Sequence, residues 1–396
     1  MATWKDLDAL LQSFVDGAPR SAGPLPGCGM QVTKNGETIY EGYFGYADLE
    51  TKAPITAESL YRQASLSKLP LYTTAMILFE QGKFLMTEPL AKYLPEWKNV
   101  KKFAYAGNGY MHAVPTDGPV TVRDCLSMKC GLPYVNFPGR TDNRTLRSMQ
   151  EAMQPLWEKG HFTNREHVEA IAKATLAFEP GTHWIYGFSS ELTCALIEAV
   201  CGKGIDQVFQ ELIFDPLGMK NTRSRYQPGD KEKMVKLYKR GEGGKCVPAT
   251  TALDNKHNPG PENEAGWARL FSTVNDYSRM MTALACGGKY NGVRLIGRKT
   301  IDLMRSNGLD EVMLKDFEDP YLRGYGYGYG VRTLIDKAKA DSNGSLGMFG
   351  WTGGFGTWAE ADPEEGVAIV YMHNLMPDEE RFYHPRMRNV AYGCLE

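Results

Sequence analysis

The sequence predicts an α/β fold in which strands from both ends of the chain enclose a mainly helical middle, and three observations carry that reading. Near the start, Gly29–Val32 and Thr38–Tyr46 flank Lys34-Asn35-Gly36, and Asn-Gly between two such runs is a strong hairpin signal. Beyond residue 325 the strand patterns return. From about Phe84 to Glu264 the apolar residues recur chiefly at helix spacing, interrupted by long polar loops.

In chain order, Leu7, Leu10, Leu11 and Phe14 make an amphipathic opening helix that Pro19 to Gly27 stops. After the hairpin, Leu69 to Gly82 reads as a helix. Asn143–Trp157, His167–Ala177 and Ser190–Cys201 are the clearest helices of the middle, and Gly241 to Gly266, with Pro248, Pro259 and Pro261, reads as loop. Ser272–Gly287 and Arg298–Asn307 are helical again. Tyr325-Gly326-Tyr327-Gly328-Tyr329-Gly330-Val331 alternates with period two, one face aromatic and the other nearly bare, as suits a strand on which a helix packs closely. Glycine-rich Gly344–Gly356 leads into strands Gly356–Ala361 and Val367–His373, and a helix closes the chain. The expected division is residues 1–83 with 265–396 as one α/β unit and 84–264 as a helical insertion. A ligand site belongs in the crevice between them.

Composition narrows the function. With 396 residues, a net charge of −2 and no long basic run, nucleic acid is not the expected partner. No apolar stretch reaches about 18 residues, so no membrane span is expected, and the N-terminus lacks a charged-then-apolar leader. A cytoplasmic location is expected. The eight cysteines form no C-x-x-C and no zinc spacing with histidine, which favours free thiols over disulfides or a metal. No cofactor is expected.

Ser65-Leu66-Ser67-Lys68 is the only S-x-x-K in the chain. At the start of a helix, residues three apart share a face, about 5–6 Å apart at Cβ. A serine hydroxyl is a weak nucleophile until a neighbour takes its proton, and a lysine does so only as the free amine. Alone, the tetrapeptide is better read as a structural helix cap.

Six further segments stand in register with it: Thr121–Asp124 through Gly131-Leu132-Pro133, Glu179–Tyr186, Phe214–Met219, Asn291–Leu295, Gly350–Gly356 and the helix end Glu80-Gln81-Gly82-Lys83. In that order the chain resembles the serine β-lactamase and penicillin-recognising superfamily over almost its whole length. The resemblance is closest to the class C β-lactamase-like branch and its family VIII carboxylesterases. It implies a β-lactamase/transpeptidase-like fold, an antiparallel sheet flanked by helices with an inserted all-helical region. By position it implies Ser65 as acylated nucleophile, Lys68 as its base partner, Tyr186 as the tyrosine of the second motif, and backbone N–H groups of Ser65 and Gly354 as the oxyanion hole.

Two departures from that pattern bear on the substrate. Where Y-x-N is usual, the chain has Tyr186-Gly187-Phe188, and phenylalanine cannot donate to a β-lactam side-chain amide. Where K-T-G is usual, it has Trp351-Thr352-Gly353, which replaces a cation by an apolar surface with one N–H donor. A pocket edged by Phe188, Trp351, Thr352, Gly353 and Tyr325 prefers an apolar acyl or alcohol group to a free carboxylate. His183, His373 and His384 read as bystanders and Cys130 as a buried filler. The expectation is a serine hydrolase acting through an acyl-enzyme on Ser65, a carboxylesterase on small or medium esters. A D-amino-acid peptidase or amidase, a weak β-lactamase, an acyltransferase and a non-catalytic binding protein of the same fold are the alternatives. The partner is a small ester, amide or peptide, and oligomeric state is not legible.

Overall fold

The structure, a computed structural model, describes residues 2–17, 23–105, 110–135, 143–251, 254, 257–258 and 268–395. Pro259 and Pro261 of the expected loop lie outside the described residues. Asn35 and Gly36 both take positive φ, 52° and 93°, the pair of conformations a two-residue hairpin needs. They join β1 (Gly27–Lys34) to β2 (Glu37–Asp48), and a short β3 (Ala53–Pro54) extends the edge.

The C-terminal part supplies β4 (Tyr325–Tyr327), β5 (Arg332–Leu334), β6 (Phe349–Gly353), β7 (Thr357–Asp362) and β8 (Val367–Met372). The eight strands form one antiparallel sheet in the order β4-β5-β6-β7-β8-β1-β2-β3. The two ends of the chain are thus joined by the pairing of β1 with β8, Gly29 opposite Met372 through Lys34 opposite Val367.

Both faces of this sheet are covered. On one, α1 (Trp4–Asp16) and α5 (Glu380–Gly393) bury Leu7, Leu11, Phe14, Tyr383 and Met387 against Met30, Val32, Trp358, Ile369 and Tyr371. On the other, α4 (Val274–Ala285) brings Tyr277, Met280 and Met281 into the cluster that holds Ala368, Val370 and Met372. Alternate residues of β8 therefore serve opposite layers, which is why the strand is apolar without interruption. The glycines of the tyrosine ladder are used as expected: a Cβ on Gly326 would meet Asn307 at 2.3 Å, and one on Gly328 the Met304 carbonyl at 2.1 Å. The strand stops at Tyr327, however, and Tyr329 lies beyond it.

α2 (Lys68–Glu80) is buried on nearly all sides, so it is apolar all round and lacks an amphipathic stripe. It runs through the main core, packed against α3 (Ser189–Cys201) and the sheet. The middle of the chain is not all-helical. Lys101–Tyr105 pairs with Met111–Pro115 and with Thr175–Leu176, and Tyr238–Arg240 pairs with Cys246–Pro248 and Leu375–Met376. These strands are short and half-exposed, so alternating burial left little signal in their sequence. For the same reason the helix expected over His167–Ala177 runs Asn164–Ile171 and then yields to a strand.

Behind β7, His384 lies flat on Trp358, with ring centroids 5.0 Å apart and planes 11° from parallel. Its two ring nitrogens have no hydrogen-bond partner, and burial holds the imidazole well below its ordinary pKa, with Arg332 and Arg388 acting in the same direction. The unfolded chain can take up this proton below about pH 6.5 and the folded protein cannot, so stability present at neutral pH is lost as pH falls. His384→Phe keeps the stack and removes the titration. Between pH 7 and pH 5, urea unfolding should show the native protein losing about 2 kcal/mol more than the variant. Equal losses would contradict this account.

Candidate active site

Ser65 sits in a single 3₁₀ turn, Ala64–Ser67, that runs directly into α2. The turn is tied down from three directions. The backbone at Leu270 accepts from Gln63 N–H (2.9 Å) and donates to Ser67 Oγ (3.1 Å). From α4, Tyr277 donates its hydroxyl to the Leu66 carbonyl at 2.7 Å. From β7, Thr357 Oγ1 donates to the Gln63 carbonyl at 3.0 Å. This bracing holds Ala64 at a φ of 45°, a conformation a non-glycine residue keeps only when its surroundings impose it.

Lys68 is the first residue of α2 and is fully buried. Its Nζ donates to Ser65 Oγ at 3.3 Å, so the S-x-x-K spacing is realised across the junction of the two helix types. The amine lies over the ring faces of Tyr186 (5.0 Å) and Tyr134 (5.6 Å), a cation–π arrangement. Tyr186 stands in an irregular segment, Trp184–Tyr186, followed by Gly187, which bridges to Pro133. A Cβ on Gly187 would fall 1.8 Å from the Leu132 carbonyl, so the tyrosine's approach depends on that glycine.

Trp351 stands on β6 and donates its indole Nε1–H to the Tyr186 hydroxyl at 3.3 Å, the two rings 5.4 Å apart and tilted by 33°. Thr352 and Gly353 continue the strand, and Gly354 is the first, exposed residue of the turn beyond it, closed by Gly356 N–H on the Gly353 carbonyl at 2.8 Å. A Cβ on Gly353 would fall 2.2 Å from the Gln63 carbonyl, so β6 rests directly on the turn that carries Ser65.

Two expected pocket residues lie elsewhere. Tyr325 faces Arg332, whose guanidinium is 5.1 Å from its ring, and it is Tyr327 that packs edge-on against Trp351 at 5.4 Å. The tyrosines of an alternating strand are equivalent in sequence, and only the strand's position in the sheet tells them apart. Phe188 caps α3 and is buried against Tyr134 and His167, 4.9 and 5.7 Å between ring centroids, so it acts as packing behind the tyrosines. His183 is bound to Asp316 at 2.9 Å and His373 to the Tyr371 hydroxyl at 2.9 Å. Burial pushes the Cys130 thiol well above its ordinary range.

Sequence reasoning missed Tyr134 and Glu191. Tyr134 donates to or accepts from Ser190 Oγ at 3.1 Å, and Ser190 in turn donates to Glu191 Oε2 at 3.1 Å. Glu191 is 2% exposed; burial pushes its carboxyl up to about 8, with the Lys68 charge opposing. The available signal was a carboxylate in the first turn of the apolar helix Ser189–Cys201. Among the described residues no cluster of three or more His, Cys, Asp or Glu is placed to hold a metal ion.

A serine hydroxyl touching a buried amine, next to a phenol that accepts an N–H, is an arrangement able to deprotonate the serine and return the proton to a leaving group. The chain belongs to the Beta-lactamase family, whose model matches residues 7–392. Esterase EstB of Burkholderia gladioli is 22% identical over 383 residues, which cover 93% of this chain and 90% of the esterase. EstCE1, a hydrolase with promiscuous acyltransferase activity, superposes with a TM-score of 0.79 at 23% identity, with 98% of each chain covered. The unliganded selenomethionyl form of simvastatin synthase (LovD) from Aspergillus terreus gives 0.82 at 19% identity, again with 98% of each chain covered. The fold is that of the β-lactamases and transpeptidases, and relatives in this serine hydrolase family include, beside the esterase, the ML-236A carboxylate methylbutanoyltransferase of Penicillium citrinum and an Escherichia coli protein named "Putative D-alanyl-D-alanine carboxypeptidase".

Gly353→Ala tests the contact between β6 and the serine turn. Overpacking of this kind costs about 1–3 kcal/mol. The melting temperature should fall together with any Ser65-dependent activity. An unchanged melting temperature would show that β6 can move aside.

Proposed function

We propose that the protein is a carboxylesterase that hydrolyses small or medium esters through an acyl-enzyme on Ser65. The observation that carries the proposal is the contact of the buried Lys68 amine with Ser65 Oγ at 3.3 Å, with the Tyr186 ring beside the same amine. Ser65 attacks the ester carbonyl while its proton passes to the Lys68–Tyr186 pair. The same pair returns a proton to the departing alcohol oxygen, as base and then as acid. Backbone N–H groups of Ser65 and Gly354 stabilise the oxyanion, a contribution of about 2.7–4 kcal/mol per donor. Water then attacks the acyl carbonyl by the same path in reverse, releasing the acid and restoring the serine.

Preference for a neutral ester rests on Trp351 and its neighbours. Trp184, Tyr327 and Phe317 pack around Tyr186 and Trp351 in one aromatic cluster, so this wall offers chiefly area, and the Trp351 indole N–H is already accepted by Tyr186. Trp351 occupies the first position of the W-T-G run, where K-T-G would put a lysine able to hold a substrate carboxylate. The esterase EstB supports the same reading.

Initial rates on p-nitrophenyl esters from acetate to octanoate, for the native protein and Ser65→Ala, test the proposal. Activity on the native protein that disappears in the variant is expected, and activity surviving in the variant would remove Ser65 as nucleophile. Trp351→Lys should raise the acylation rate with carboxylate-bearing lactams. An unchanged rate in a folded variant would contradict the account of specificity.

A further inference from the structure

We propose that Asp316 is a positioning residue for the site: from the C-terminal half of the chain it clamps the segment that carries Tyr186, and so sets where that tyrosine stands against Lys68 and Trp351. The inference rests on the esterase reading above and adds a residue to it.

Tyr186 belongs to an irregular stretch, so no helix or strand ladder fixes its backbone. Single contacts do so instead. On one side, Ile185 N–H donates to the Met128 carbonyl at 3.0 Å and Phe188 N–H to the Leu132 carbonyl at 2.8 Å. On the other side stands a carboxyl from a distant element. Asp316 Oδ2 accepts the Trp184 N–H at 3.0 Å and meets His183 Nδ1 at 2.9 Å, so one oxygen holds two consecutive residues.

The anchor reaches Tyr186 through aromatic rings. Trp184 is 8% exposed and its indole Nε1–H has no hydrogen-bond partner among the described residues, so packing and the backbone anchor place this ring. It stacks on Tyr186, with centroids 6.4 Å apart and planes 25° from parallel, and Tyr186 in turn accepts from Trp351. Phe317, next to Asp316, closes edge-on against the Trp184 ring at 4.8 Å. Neighbouring residues of one short helix, Glu311–Phe317, thus hold both the amide and the ring of Trp184.

That helix is itself fixed. Asp310 caps it, accepting from the Val312 and Met313 N–H groups at 3.0 and 2.9 Å, and Met313 and Phe317 share its buried face. Just before it, Asn307 Oδ1 accepts the Tyr327 N–H on β4 at 3.3 Å, and Lys129 donates to the Gly308 carbonyl. Asp316 therefore acts from a rigid support. Displacing a reacting group by about 1 Å costs up to about 100-fold in rate, so an anchor this close to Tyr186 bears on catalysis.

The test uses the native protein, Asp316→Ala and Asp316→Asn. The Asp316 and His183 side chains are 28% and 44% exposed, so water can replace the carboxyl at the Trp184 amide and Asp316→Ala should fold. By mass spectrometry, hydrogen exchange in the peptide spanning residues 183–188 should be faster in Asp316→Ala and near native in Asp316→Asn, whose amide oxygen can stand in for Oδ2. Unchanged exchange in Asp316→Ala would overturn the clamp, whatever the protein hydrolyses. With a p-nitrophenyl ester, kcat should fall by about 10- to 100-fold in Asp316→Ala, and Asp316→Asn should recover most of it. Because the effect passes through Tyr186, adding Asp316→Ala to Tyr186→Phe should cost at most about two-fold more. An equal fall in both backgrounds would mark a general structural loss and overturn the proposal, as would an Asp316→Asn enzyme as slow as Asp316→Ala. If Asp316→Ala does not fold, Asp316→Ser, too short to reach the Trp184 amide, is read by the same criteria. Native ester hydrolysis that survives in Ser65→Ala would instead fail the esterase reading, on which the exchange measurement does not depend.

Discussion

The structure is organised around a lysine that has been taken out of water. Lys68 is fully buried at the head of α2, and a buried amine is tolerable only where aromatic faces, hydroxyls or a carboxyl receive it. Ser65, Tyr134 and Tyr186 are those groups, and each comes from a different piece of backbone. Placing them requires the serine turn, the loop after Leu132 and the segment before α3 to converge. The central position of α2, covered on all sides by sheet and helices, is what makes that convergence possible.

The sheet contributes the opposite wall. By joining β1 to β8 it closes the two ends of the chain on each other, and its hairpin of β6 and β7 rests on the Gln63 carbonyl through Gly353 and Thr357. Trp351 therefore reaches Tyr186 from a rigid strand. The site lies between a helical layer that holds Lys68 and a sheet that holds the aromatic surface, and the two sides touch through Gly353 on Gln63 and Trp351 on Tyr186.

Much of this was legible in the sequence. Asn35-Gly36 fixed the hairpin because only positive φ closes a two-residue turn, and the bare face of Gly326 and Gly328 announced the close contact with residues 304–307. Ser65, Lys68 and Tyr186 were named from motif order, and the structure brings Lys68 close to both of the others. What escaped was set by long-range packing. Tyr325 and Tyr327 look alike along the chain but meet Arg332 and Trp351 respectively. Glu191 looks like one more first-turn acid along the chain, a common helix feature, and only the fold shows that it is buried and bound to Ser190. The short strands at Lys101–Tyr105 and Thr175–Leu176 lack the length for a period-two signal.

The central claim is that Ser65 becomes covalently acylated. The most direct measurement is mass spectrometry of the intact protein, and then of its peptides, after rapid acid quenching of a reaction with a p-nitrophenyl ester. The account predicts a mass increase equal to the acyl group, located on the peptide containing Ser65. Turnover of the ester with the acyl group found on another residue, or with no acyl-enzyme even when a slowly hydrolysed ester is used, would contradict it.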